Sequence, residues 1–409
     1  MDANLTISGV PPQWNSKPMF HLPPWGEPLV VLSILGGAMF LTRRRNFYIF
    51  GKRKEGYNDS LLGSDSGTLS DNLLAHDVDN DHDSQDGLSA SKYIPKKRKC
   101  CGMHVYTPNS SRFATRFHSR ILQKFPFLIE MFYWIITYLF YRMAKAISTR
   151  IFTTSIIDVA QAHGLAILDF EQFSWASFLF PITEYDVQHW FMDGHQTALT
   201  VLNRAYALIH IPGTVGFIAW YYYIAPSHPT FATIRRTLTL SNLFAFLIFT
   251  LYPCMPPRLL PPEYGFLDSV RHDKATSIWM SGDFVNSLAA MPSMHFGYAF
   301  VIGCTMVYHA GIFRRTLEKG ETRKGSWGKT FYSFIGIGYP SLILITIVAT
   351  ANHYWMDALI AMIVAGVAYL CNGIILTLLP LEDLLLWVLR LEKPTPSTGE
   401  RFGHSGGRI

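Results

Sequence analysis

Residues 331–380 read FYSFIGIGYP SLILITIVAT ANHYWMDALI AMIVAGVAYL CNGIILTLLP. Two apolar runs, 331–351 and 355–380, meet at Asn352-His353-Tyr354-Trp355-Met356-Asp357. A helix that crosses a bilayer needs roughly 20 mostly apolar residues. The stretch therefore reads as two membrane helices, with its one histidine and its one carboxylate, His353 and Asp357, where they meet.

Working outward, five more runs carry the same signature: 28–42, 125–147, 197–224, 236–255 and 293–313. The first is short. The implied fold class is all-α, a polytopic transmembrane helical bundle of about six to seven spans. Composition agrees. Of 409 residues 49% are hydrophobic and 16% charged, against roughly 25% charged in soluble domains, and mean hydropathy is +0.17. Soluble, fibrous and wholly disordered classes are poor fits. The five cysteines are too few and too odd in number for a disulfide framework. The net charge of +6 sits in blocks beside the spans and is no nucleic-acid signature. The sequence names no protein partner.

Positive charge sets orientation. Arg43, Arg44 and Arg45, then Arg235 and Arg236, then the basic loop 314–329 all fall on one side if seven spans alternate. That side is expected to be cytoplasmic. The organisation that follows is a lumenal N-terminus over 1–27, a candidate first span over 28–42 and a largely disordered cytoplasmic insert over 43–124. A transmembrane catalytic domain occupies 125–380, and a cytoplasmic tail 381–409. The sequon at Asn4 is lumenal on this scheme, and those at Asn58 and Asn109 are cytoplasmic. Asp77, Asp79, Asp81 and Asp83 imitate a calcium loop, but its required Gly and Glu are His82 and Leu88. Lys96-Lys97-Arg98-Lys99 with Cys100-Cys101 reads as a plain basic run or as a surface-charge anchor with palmitoylation.

Three motifs fall at span ends on the expected lumenal face. They are Pro256-Pro257-Arg258 after the fourth span, Pro292-Ser293-Met294-His295 at the start of the fifth, and Asn352-His353 with Asp357 between the sixth and seventh. His353 and Asp357 are four apart, which puts them on one face of a helix. A carboxylate on one imidazole nitrogen fixes the tautomer and leaves the other nitrogen free to attack. His295 at a helix start can donate a proton to a leaving oxygen. Arg258 offers a planar cation to phosphate oxygens. Together these residues suggest phosphoryl transfer through a phosphohistidine, with no metal and no cofactor. The structural readings remain open: a packing histidine, a helix-ending Pro-Pro, and a chance four-residue spacing.

At these residues the chain resembles the type 2 phosphatidic acid phosphatase superfamily. It looks most like the branch of fungal inositolphosphotransferases, the inositol phosphorylceramide synthases, over roughly 195–380. The resemblance implies a PAP2-like helical bundle with a lumenal active site. It implies His353 as nucleophile, Asp357 as its orienting partner and His295 as general acid and base, with Arg258, Ser293 and Asn352 binding phosphate. The chain departs from the broader superfamily at Leu251 and Ile347, where a Lys and an Arg are usual, and at Met294, where Gly is usual. Arg204, Arg271 and Lys274 are candidates for the missing charge. Asn203, Tyr206 and His210 share a stripe of the third span and are possible substrate contacts, or simply interhelical hydrogen bonders.

The expected function is therefore that of a multi-pass membrane phosphotransferase of Golgi or ER. Its substrates would be a phospholipid, a lipid phosphate or ceramide, as in sphingolipid metabolism. A lipid phosphate phosphatase shares the first half-reaction. A transporter or non-catalytic membrane protein is the remote alternative, since transporters gather ionisable groups near the midplane.

Overall fold

The computed structural model describes residues 25–45, 47–50, 93–100, 102–151, 156–173, 175–269, 288–314 and 324–399. The sequons at Asn4 and Asn58, the acidic run at 77–83, Cys101, Arg271 and Lys274 lie outside them.

The fold is mostly helical. All seven apolar runs coincide with helices: α1 (Gly26–Leu41), α3 (Phe127–Ile151), α6 (Gln196–Ile224), α7 (His228–Leu251), α8 (Met294–Ala310), α9 (Ser326–Ala349) and α10 (Trp355–Leu370). The other helices are α2 (Phe117–Lys124), α4 (Ile156–Phe173), α5 (Glu184–Met192) and α11 (Leu379–Val388). Among the described residues three helical segments are long and apolar enough to cross a membrane: Phe127–Ala144, His228–Leu251 and Ser326–Ala349. There are up to four if the interrupted pair Trp355–Leu370 and Asn372–Val388 counts as one span. The physical reason for the lower number is plain. Helices α1, α8 and α10 are only 16, 17 and 16 residues long, at or below the minimum for a spanning helix. Helix α6 is long enough but carries Asn203, Arg204 and His210.

Two compact units emerge. One comprises 1–36, 135–221 and 234–370, and the other 37–134, 222–233 and 371–409. In the first unit α10 buries Ala358, Ala361, Ala365 and Ala368. That three-four-three spacing makes a stripe of small side chains, which lets neighbouring helices approach closely. Helices α8 and α9 come closer still. A Cβ on Gly303 would overlap the carbonyl oxygen of Gly336, and one on Gly336 would lie 2.8 Å from the oxygen of Gly303. Pro340, four residues on, has no N–H to offer Gly336. Helix α8 opens with Ser293 as its cap and closes at Gly311, whose φ of 72° suits glycine.

The second unit contains structure inside the segment expected to be largely disordered. Strands β1 (Lys96–Cys100) and β2 (Met103–Thr107) form an antiparallel hairpin, with Lys96 opposite Thr107 and Cys100 opposite Met103. The basic run is therefore strand β1, and its Arg98 bonds Asp383 of α11 at 2.7 Å. Thr107 donates to the same carboxylate at 2.9 Å. The tail following α11 also packs within this unit. Gln123 donates to the carbonyl of Lys393 at 3.0 Å and accepts from the N–H of Thr395 at 3.2 Å.

Candidate active site

The three motifs meet in the first unit, and backbone bonds bring them together. Cys254 and Ala289 form a short parallel bridge. The N–H of Cys254 donates to Leu288, and that of Ala290 to Cys254, at 2.8 and 3.1 Å. This bridge fixes the carbonyl of Ala290, which faces Nδ1 of His353 at 2.8 Å. Asp357 Oδ2 lies 3.1 Å from the same nitrogen. A carbonyl only accepts, so Nδ1 carries the proton and shares it between two acceptors. The neutral ring then has its lone pair on Nε2, the tautomer a nucleophile needs. His353 is 5% exposed and Asp357 is fully buried.

One expectation needs correcting. His353 and Asp357 do not share a helical face, because α10 begins only at Trp355. Asp357 is the third residue of the helix and reaches back over its start. It accepts from the N–H of Tyr354 at 3.0 Å as well as from His353. The pairing is thus half of a capping box, and the histidine sits on the turn that the cap secures.

Two more carboxyls complete that cap. Glu184 Oε1 accepts from the N–H of Trp355 at 2.9 Å, and Glu171 Oε1 from that of Met356 at 2.6 Å. Both are buried. They come from α5 and α4, outside the three motifs.

His295 is the second residue of α8. Its ring lies between those of Tyr206 and His210, with centroids 4.2 Å away on either contact. The rings of His295 and His353 are 6.2 Å apart, close enough for one tetrahedral group to lie between them. Ser293 caps α8, its Oγ accepting from Phe296 at 3.4 Å, and its own N–H donates to the carbonyl of Asp357 at 3.1 Å.

Arg258 is tied to the turn that leads into His353. Its backbone N–H donates to Ala351 at 2.9 Å, and its Nε donates to Asn352 Oδ1 at 2.8 Å. A terminal nitrogen pairs with Asp268 at 2.9 Å. Sequence reasoning missed Asp268. Helix α5 holds the loop that carries it, because the amide of Gln188 both donates to and accepts from the backbone of Leu267, at 2.9 and 3.0 Å. Asn203 accepts from Ser269 at 3.1 Å. It therefore joins the site through this loop, while Tyr206 and His210 join it through His295.

A small cavity of about 20 Å³ adjoins Ser293 and Met294, lined also by Leu238, Ala245, Gly297 and Ala361. Among the described residues no three His, Cys, Asp or Glu side chains are grouped as metal ligands.

No curated protein and no solved structure matches the chain. The family model of the PAP2 superfamily matches residues 167–317, a stretch that holds Arg258 and His295 and ends before His353. That match supports the superfamily and, with it, a lipid enzyme of the phosphatase or phosphotransferase kind.

Proposed function

We propose that the protein is an integral membrane phosphotransferase of the inositolphosphotransferase type, working through a phosphohistidine on His353. The observation that carries this reading is the tautomer of His353. Its Nδ1–H is held by Ala290 and Asp357, so Nε2 is the reactive atom.

In the first half-reaction Nε2 attacks phosphorus. The bond from phosphorus to the donor's lipid oxygen breaks, and that oxygen takes a proton from His295. In the second half-reaction an acceptor alcohol gives its proton to His295 and attacks phosphorus. The P–N bond breaks and His353 is regenerated. Arg258 and Asn352 hold the phosphoryl oxygens, and Ser293 adds the start of α8. The growing imidazolium charge on His353 is balanced by Asp357. Burial of His353 and Asp357 limits water and favours an alcohol as acceptor.

The test is an assay of purified protein in mixed micelles with labelled phosphatidylinositol or a lipid phosphate, with and without ceramide. A new phosphorylated lipid supports the transferase, and inorganic phosphate alone would make it a phosphatase. His353→Ala should lower turnover by at least about 10⁴-fold and abolish acid-labile labelling of the protein. Undiminished turnover would remove the mechanism.

A further inference from the structure

We propose that Glu171 and Glu184 form a carboxyl pair holding one proton between them, and that the pair positions the nucleophile by fastening the first turn of α10. The inference rests on the reading of His353 as nucleophile for its catalytic consequence, but its structural part stands alone.

The argument starts from the helix. An α-helix opens with four N–H groups that lack partners inside it. In α10 the consecutive N–H groups of Tyr354, Trp355 and Met356 go to Asp357, Glu184 and Glu171. Each carboxyl comes from a different helix, so the turn after His353 is held from three directions. Asp357 also bonds the nucleophile. Movement of Trp355 or Met356 would therefore reach the imidazole through one residue.

Three carboxylates around one turn repel each other unless a proton intervenes. Glu171 shows where it sits. One of its oxygens accepts from Met356, while the other, Oε2, is buried and has no donor or acceptor among the described N–H and O–H groups. Its neighbour is the carboxyl of Glu184. Two ionised carboxylates cannot bond to one another, but a carboxylic acid donates to a carboxylate. A proton on Glu171 Oε2 satisfies the orphaned oxygen and removes one charge. Among the described residues the other ionisable groups facing the pair are Asp357, Cys254 and Tyr354. None is a cation, so a proton is what neutralises it.

Glutamine copies a protonated glutamate in shape and can donate from its amide. Burial first, then the hydrogen bond and charge of Glu184, raise Glu171 from its ordinary 4.5 to about 10. Between those values the folded protein holds a proton that the unfolded chain has released. Stability from this group is full below pH 4.5 and falls as pH rises toward 10.

The experiment is thermal unfolding of the full-length protein in detergent from pH 5 to pH 9. Relative to Glu171→Gln, wild type should lose about tenfold in folding equilibrium for each pH unit. Its midpoint should drop while that of the variant stays flatter. Parallel curves would overturn the pair. Glu184→Gln reads it from the other side and should shrink the same slope, and an unchanged slope would equally count against it. For positioning, Glu171→Ala should lower kcat roughly tenfold with KM little moved, and Glu171→Gln should restore kcat. Equal loss in both variants would sink the positioning role. Failure of the phosphotransfer reading shows instead as retained turnover in His353→Ala, which leaves the unfolding comparison intact.

Discussion

The two helices that carry the histidine motifs begin in opposite ways. Helix α10 starts under three carboxyls, each taking one backbone N–H. Helix α8 starts under the neutral hydroxyl of Ser293 and has no acidic residue in its first turn. A helix start carries a partial positive charge. In α10 that charge is cancelled, and the start serves to hold His353 still. In α8 no acidic residue of the first turn offsets it, and on the proposed function it would act on an anion beside His295. The histidines follow suit. His353 is fixed by hydrogen bonds that set its tautomer, whereas His295 packs against the rings of Tyr206 and His210. On the proposed function, one helix start holds and the other receives.

The comparison can be broken most severely at Asp357. Asp357→Asn keeps an acceptor for Tyr354 but removes the charge that stabilises an imidazolium. It should cost roughly 10²–10⁴ in kcat. A loss below about threefold in a steady-state assay would mean that the cap of α10 has no electrostatic part in turnover.

A gentler test makes the two starts alike. Ser293→Asp keeps a good helix cap but adds an anion to α8, whereas Ser293→Asn keeps the cap without the charge. The aspartate variant should bind inorganic vanadate or a lipid phosphate roughly tenfold more weakly than the asparagine variant. Equal affinities would show that the start of α8 does not face phosphate.

The smallest expected effect concerns the support behind both starts. A Cβ on Gly164 would lie 2.7 Å from the carbonyl oxygen of Met255 and 2.7 Å from the hydroxyl of Tyr354. Those two atoms are hydrogen-bonded to each other at 2.9 Å. Gly164→Ala should therefore cost about 1–3 kcal/mol of stability through overpacking. A thermal midpoint equal to wild type would show that α4 has room to move away.

Much of this was legible in the sequence, for identifiable reasons. Long apolar runs announce helices directly, and all seven runs are helices. His353, Asp357, His295 and Arg258 stood out because they lie in three short motifs at the ends of such runs. The rest left no comparable mark. Ala290 acts through its carbonyl, which every residue possesses. Glu171, Glu184 and Gln188 lie outside the three motifs, and only the packing of α4 and α5 gives them a task. Asp268 is likewise one acid among several in a loop. His353 was placed on a helical face but lies two residues before α10, since a spacing of four fits a capping reach-back as well as a helical face. The hairpin at 96–107 was hidden because a run of lysines is a weak strand signal.

The meeting of Gly303 with Gly336 has a consequence for motion. Two backbones in direct contact have no side chains between them to swing aside. Helices α8 and α9 therefore cross here with no side chain to give way, and any motion that parts them has to break this backbone contact.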